Sequence, residues 1–230
     1  MTPLITLRSA EAADLDALVR LEHQVEAALP SRDIFATDER EFYEPIVQGA
    51  GHILLAFDDE ARLAGASVIR FPAQDEPENL GLALSLPANE LARVRHLESV
   101  FVRPDMQGRK LAERLVRENM RLTEESGRTV SMATAWPGNA ASLKLHLRLG
   151  LYIRAFAFKY GGKPRFILMS GGSADLTVPP VLVRAMDIAR HRSLLTLGLA
   201  GVAVHSSAGQ DGPLVEYRPL KEKNGAAFAR

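Results

Sequence analysis

Apolar positions recur along the chain with two periods, and the switching between them lays out an α/β order. A short alternating stretch at residues 4–8 reads as a first strand. From about 11 to 29, Leu15, Leu18, Val19, Val25 and Leu29 fall on one helical face, with Asp14 and Asp16 near the positive N-terminal end. Residues 30–50 lose the pattern. Pro30, Pro45 and the aromatics Phe35, Phe42 and Tyr43 read as a loop and a short helix over a site. His52–Phe57 and Leu63–Phe71 are apolar runs on either side of Asp58-Asp59-Glu60 and read as a hairpin.

Pro72, Pro77 and Pro87 interrupt the next segment, where residues 89–95 read as a short helix. Residues 97–103 alternate as a half-buried strand should, and a turn follows at 104–108. A strongly amphipathic helix is expected over 109–126, with Leu111, Ala112, Leu115, Val116 and Leu122 inward and Gly127 as its stop. A strand at 129–135, a helix at 140–149 ended by Gly150, and strands at 152–160 and 165–169 around Gly161-Gly162 complete this part. An early hairpin within an α/β order predicts a mixed, mostly antiparallel central sheet flanked by helices. Composition changes at Gly171-Gly172-Ser173. Beyond it lie Pro179-Pro180, a helical stretch near 181–193, the apolar run Leu194–Val204 and a polar end. The domain is therefore placed at 1–170 and a C-terminal extension at 171–230.

Charge narrows the function. Lysine plus arginine number 28, as do aspartate plus glutamate, so the basic excess of a dedicated nucleic-acid binder is missing. No cysteine is present, which excludes disulfides, thiolate metal sites and cysteine nucleophiles. His23, His52, His96, His191 and His205 show no metal-ligand spacing, so no metal is expected. The first residues lack the pattern of a secretory signal, and Leu194–Val204 falls short of the roughly 20 residues that span a bilayer. The expectation is a cytoplasmic protein with no membrane or nucleic-acid partner. The apolar run is expected to be core or a subunit contact, in a possible homodimer.

Two segments carry the candidate chemistry. In residues 97–116, LESVFVRPDMQGRKLAERLV, a strand, a short turn and a helix opening near Arg109 follow in order. The first amides of a helix lack intrahelical partners and favour an anion, and a diphosphate is a natural occupant. Gly108 permits close approach, while Arg109 and Lys110 add positive charge. A plain strand–helix connection would look the same. In residues 136–151, WPGNAASLKLHLRLGL, Asn139 either caps its own helix or presents its amide to a ligand.

Together, VRPDMQGRKLAERLV and NAASLKLHLRLGL resemble the acyl-CoA motif and the following asparagine motif of the GCN5-related N-acetyltransferase (GNAT) family. The resemblance covers roughly residues 4–170. It implies a GNAT-like acyl-CoA N-acyltransferase fold and acetyl-CoA as acyl donor. It also implies direct acetyl transfer to a primary amine, from a small molecule or a peptide, in a ternary complex. Gln107 and Ala112 take the first and last motif positions. The amides of Gly108, Arg109, Lys110 and Leu111 between them would wrap the diphosphate. Phe101 and Val102 would offer backbone groups to the pantetheine arm, and Val100 or Phe101 an amide to the thioester carbonyl. Asn139 would touch the cofactor with Ser142 nearby. Two positions depart from the pattern: Lys110 stands where the motif has its central glycine, and His146 where many members carry a tyrosine.

An attacking amine must lose a proton, so a base is useful. Glu98, on the strand where family members often hold a carboxylate, is the candidate. His146, or Tyr152 close by, would protonate the leaving thiolate. Acceptor recognition is expected in residues 30–45, with Arg32, Asp33, Asp38, Glu39, Glu41 and Tyr43, and around Tyr160, Lys163 and Arg165. Phe35, Phe42 and Tyr43 could line a pocket or belong to the core. The alternative in another class is a non-catalytic module on the same fold that binds acyl-CoA or a small ligand.

Overall fold

A computed structural model describes residues 4–29, 37–206 and 212–221. Up to Ser170 its elements run in the expected α/β order. They are β1 (Thr6–Ser9), α1 (Leu15–Ala27), α2 (Arg40–Pro45), β2 (Gly51–Phe57), β3 (Leu63–Arg70), α3 (Ala88–Leu91), β4 (Val94–Val102), α4 (Leu111–Leu122) and β5 (Val130–Ala135). There follow α5 (Ala140–Arg148), β6 (Leu151–Lys159), β7 (Lys163–Ser170), β8 (Ser173–Ala174), β9 (Val181–Arg184), α6 (Ile188–Thr196), β10 (Ala200–His205), β11 (Leu214–Arg218) and β12 (Leu220–Lys221). The chain divides into two compact units, Met1–Pro72 with Arg95–Thr129, and Ala73–Val94 with Val130–Arg230.

In the first unit, β1, β2, β3 and β4 pair in that order as an antiparallel meander. The β2 run is apolar throughout because both faces are covered. Ile53 and Leu55 join Leu15, Leu18, Leu21, Tyr43 and Ile46 from α1, α2 and the turn after it. Leu54 and Ala56 join Met106, Leu111 and Leu115 from the loop and α4 on the other face. Successive side chains of a strand point to opposite faces, so one strand serves two helical layers. Gly65 lets α4 press down. A Cβ there would lie 2.9 Å from the Phe101 carbonyl oxygen and 3.2 Å from Leu115.

In the second unit the strand order is β5, β7, β6, β10, β11, β9, antiparallel at each pair. Leu80, Leu86, Leu91 and Val94 pack with Met132, Ile167 and Met169. The residues after 170 thus contribute strands to this unit's sheet, with β8 and β12 as a separate short pair. Among the described residues no helix is long and apolar enough to cross a membrane.

Several expectations shift. Residues 181–193 are not one helix: Val181–Arg184 is a strand and α6 begins only at Ile188, after the Asp187 cap. The apolar run 194–204 is split by Gly198 into the end of α6 and most of β10. The short helix is at Ala88–Leu91, and Val94 and Arg95 already belong to β4. Helix α4 opens at Leu111 rather than Arg109, because Lys110 sits in the left-handed region (φ 61°) and cannot be a helical residue. It closes at Leu122, with a 3-10 turn before Gly127. Pro30, Arg32, Asp33 and Phe35 lie outside the described residues.

Candidate active site

The loop from β4 to α4 is held by charge. Arg103 donates to Asp58 (2.7 Å), Asp105 (2.6 Å) and the Leu63 carbonyl (3.2 Å), and so pins the loop to the β2–β3 hairpin. Gln107 turns its side chain inward, its Nε2 donating to the Val102 carbonyl at 3.1 Å. Gly108 (φ 76°) and Lys110 (φ 61°) both take left-handed conformations. For lysine this costs about 1 kcal/mol that glycine would not incur. No side chain caps α4. Its ladder opens with the Arg114 amide on the Lys110 carbonyl at 3.1 Å. The amides of Gly108, Arg109, Lys110, Leu111 and Ala112 donate to no group among the described residues. Five such amides, the helix dipole and two exposed cations give this loop a positive end of the kind that suits an anion.

Upstream, β4 bulges. Val68 pairs with Ser99 and Ile69 with Leu97, so Glu98 is the extra residue. A bulge re-aims the side chain it carries. Glu98 accepts from Arg70 Nε at 2.6 Å, and His96 Nδ1 lies 3.3 Å away. Burial works to raise the Glu98 carboxyl, but the His96 ring and the Arg70 guanidinium outweigh it and hold it below the ordinary carboxylate range. Asp38 moves the other way. Burial, helped by the negative charge of Glu98, pushes it up to about 6 despite Arg70. Deeper in, Glu22 on α1 is fully buried. Its Oε2 accepts from Tyr43 Oη (2.6 Å) and the Asp38 amide (3.2 Å), while Oε1 has no partner among the described residues. Burial pushes Glu22 up to about 7.

The second unit holds the other candidates. Asn139 is a cap: its Oδ1 accepts from the Ser142 amide at 3.0 Å. His146 is buried, its Nδ1 donates to the Ser142 carbonyl at 2.9 Å, and burial pushes it down to about 4. Tyr152 is half-buried on β6. Arg165 is buried and lies 5.4 Å from the ring centre of exposed Tyr160.

A family model described as Acetyltransferase (GNAT) family matches residues 24–151 of this geometry. The chain belongs to the GNAT acetyltransferase family. Solved GNAT-fold structures agree in fold. The ribosomal-protein-S18-alanine N-acetyltransferase of Escherichia coli aligns with TM-score 0.55 and 15% identity, over 76% of this chain and 99% of that one. yncA of Salmonella typhimurium, solved with its cofactor acetyl-CoA, gives 0.52 and 22% over 72% and 91%. A phosphinothricin acetyltransferase of Sinorhizobium meliloti, in complex with AcCoA, gives 0.50 and 16% over 74% and 88%. A search of curated proteins finds no match.

In the first unit of this GNAT chain, the structure brings together Val100, Phe101 and Val102, paired with Ser67, Ala66 and Gly65, and the loop residues Gln107 to Ala112. Phe101 and Val102 bury their side chains, leaving only backbone to offer. Tyr43 is core, 0% exposed, and not a pocket wall. The sequence reading passed over Arg70, His96 and Glu22. The signal available was the spacing of His96 and Glu98, two apart on a strand. Nothing in the sequence marks Arg70 as their partner, because that contact depends on the β3–β4 register.

Proposed function

We propose that this GNAT chain transfers an acetyl group from acetyl-CoA to a primary amine by direct attack in a ternary complex. The observation that carries the reading is the run of five unpartnered amides from Gly108 to Ala112, ending a strand–loop connection. Acetyl-CoA, present in the yncA and phosphinothricin acetyltransferase structures, supplies an activated thioester. In this chain the loop amides, with Arg109 and Lys110, would hold its diphosphate. Backbone groups of Phe101 and Val102 would hold its arm, with Val100 or Phe101 donating to the thioester oxygen. Asn139, whose side-chain oxygen caps α5, would lie beside the cofactor with Ser142.

The proton from the amine is assigned to a carboxylate pair with split titration. Glu98 stays ionised beside Arg70 and His96 and keeps the site negative. Asp38, raised to about 6, is the better-matched acceptor. For the leaving thiolate we favour Tyr152 over His146. A buried imidazole pushed down to about 4 is neutral at neutral pH, and its one N–H is engaged by the Ser142 carbonyl, so it holds no acidic proton to give. Residues 1–170 are proposed as the acyltransferase part, 171–230 as an extension, and the assembly as a homodimer.

Calorimetric titration of the full chain with acetyl-CoA tests the first step. Binding on the order of micromolar is expected, and no binding overturns the reading. Release of coenzyme A with a panel of spermidine, phosphinothricin and an alanyl peptide tests the second. Binding with no release across the panel favours a non-catalytic module. With an acceptor in hand, kcat/KM should rise as pH rises through about 6 and Asp38 ionises. Asp38→Asn should remove that limb and slow turnover on the order of 100-fold.

A further inference from the structure

Away from these residues, the first unit carries a second polar constellation on β1, β2 and α4. Ser9 ends β1, and its Oγ lies 2.8 Å from Nε2 of His52. The Nδ1 of the same ring lies 2.7 Å from Oδ1 of Asn119. Asn119 is 0% exposed and its orientation is fixed: Nδ2 donates to the Ser67 carbonyl (2.7 Å), to Ser67 Oγ (3.2 Å) and to the His52 carbonyl (3.3 Å). Its Oδ1 can therefore only accept, so His52 carries its proton on Nδ1. Nε2 is left with a lone pair, and the Ser9 hydroxyl donates to it.

That is the order of roles a nucleophilic serine needs: hydroxyl, base, and a third group that sets the base's tautomer. Exposure follows the same order, with Ser9 exposed, His52 half-buried and Asn119 fully buried. Arg8 places positive charge beside the serine, its Nη1 donating to the Ser9 carbonyl at 3.1 Å and its guanidinium paired with Asp14. A tie between strand and helix would be equally served with the hydroxyl buried. Ser9 is instead an exposed residue, as a reacting group requires.

We propose that Ser9, His52 and Asn119 form a second, serine-nucleophile centre that takes the acyl group of small activated esters. With 4-nitrophenyl acetate, Ser9 Oγ bonds to the carbonyl carbon and its proton passes to His52 Nε2. The bond from that carbon to the phenolic oxygen breaks, releasing 4-nitrophenolate and leaving an acetyl ester on Ser9. His52 gives that proton to solvent. Water then adds to the ester with its proton passing to Nε2, the bond from the acyl carbon to Ser9 Oγ breaks as Nε2 returns the proton to that oxygen, and acetate leaves with the serine hydroxyl restored.

The test treats the full chain with 4-nitrophenyl acetate, quenches in acid, and locates the acetyl group by peptide mass spectrometry. Acetyl on Ser9 is expected, lost in Ser9→Ala. In His52→Gln, which keeps a donor for Asn119 but has no base, labelling should slow at least about tenfold. Thermal melting checks that both variants fold. A destabilised His52→Gln is replaced by His52→Asn, judged by the same criterion. Acetyl found only on lysines, or on Ser9 at an unchanged rate without His52, overturns the proposal. The readout does not depend on acetyl-CoA, so its failure leaves the acetyltransferase reading untouched.

Discussion

Helices α4 and α5 both follow a strand and a short turn, yet they begin in opposite ways. At α5, Asn139 spends its carbonyl oxygen on the Ser142 amide. At α4 no side chain does this, Lys110 holds a strained backbone, and five amides in a row have no partner among the described residues. Buried titratable groups show the same contrast. His191 in the second unit is held neutral by burial with both nitrogens engaged, Nε2 donating to the Ala185 carbonyl (3.1 Å) and Nδ1 accepting from Tyr217 (2.9 Å). Glu22 in the first unit is also pushed toward neutrality, but one of its oxygens has no partner among the described residues. Satisfied polar groups stabilise a fold. Unsatisfied ones cost stability and are kept where something else is to be bound or moved.

The contrast can be broken most directly at Glu22. A buried carboxyl raised to about 7 is protonated in the fold and ionised in the unfolded chain between the two values, so stability falls as pH rises from about 4.5 through 7. Glu22→Gln should flatten that slope and raise stability at pH 8 by up to about 3 kcal/mol, read from chemical unfolding at several pH values. An unchanged slope would place the titration elsewhere.

The paired turn glycines sharpen it next. A Cβ at Gly138 would sit 2.3 Å from the Trp136 ring, so Gly138→Ala should cost roughly 1–3 kcal/mol of stability. Nothing lies within 4 Å of a Cβ at Gly108, where only the φ of 76° objects. Gly108→Val should cost roughly 1–2 kcal/mol and weaken acetyl-CoA binding about tenfold or more by distorting the cradle.

Lys110→Gly separates strain from charge. It should gain up to about 1 kcal/mol of stability, since φ 61° suits glycine, while losing affinity for acetyl-CoA a few-fold at low salt. Tighter binding in the variant would mean the lysine obstructs the cradle. Asn139→Ala gives the smallest change expected in the cofactor titration. It should cost about 1 kcal/mol in a melt, because a cap is lost.

Much of the fold was legible in the residues. Leu15, Leu18 and Val25 keep a helical face that becomes core. The hairpin around Asp58 forms where the apolar runs are broken by acidic residues, and Gly127 and Gly150 stop chain segments at positive φ. The motif from Gln107 to Ala112 was visible because a run of unpartnered amides is local, set by a loop and the first turn of one helix. The strand at 181–184 was missed because its residues carry no alternation of their own; they pair with β11, far along the chain. The bulge at Glu98 broke the expected alternation in β4 for the same kind of reason.

By itself, the sequence determined the order of helices and strands up to residue 170, the family, and the loop whose amides find no partner among the described residues, since these depend largely on neighbours within a few residues. Only the tertiary structure decided which titratable groups matter. Glu98 is held ionised by Arg70 from β3, Asp38 and Glu22 are raised by burial, and His146 is pushed toward neutrality. The Ser9–His52–Asn119 alignment likewise joins three elements. Desolvation and charge pairing act through space, and the chain distance between their partners carries no trace of them.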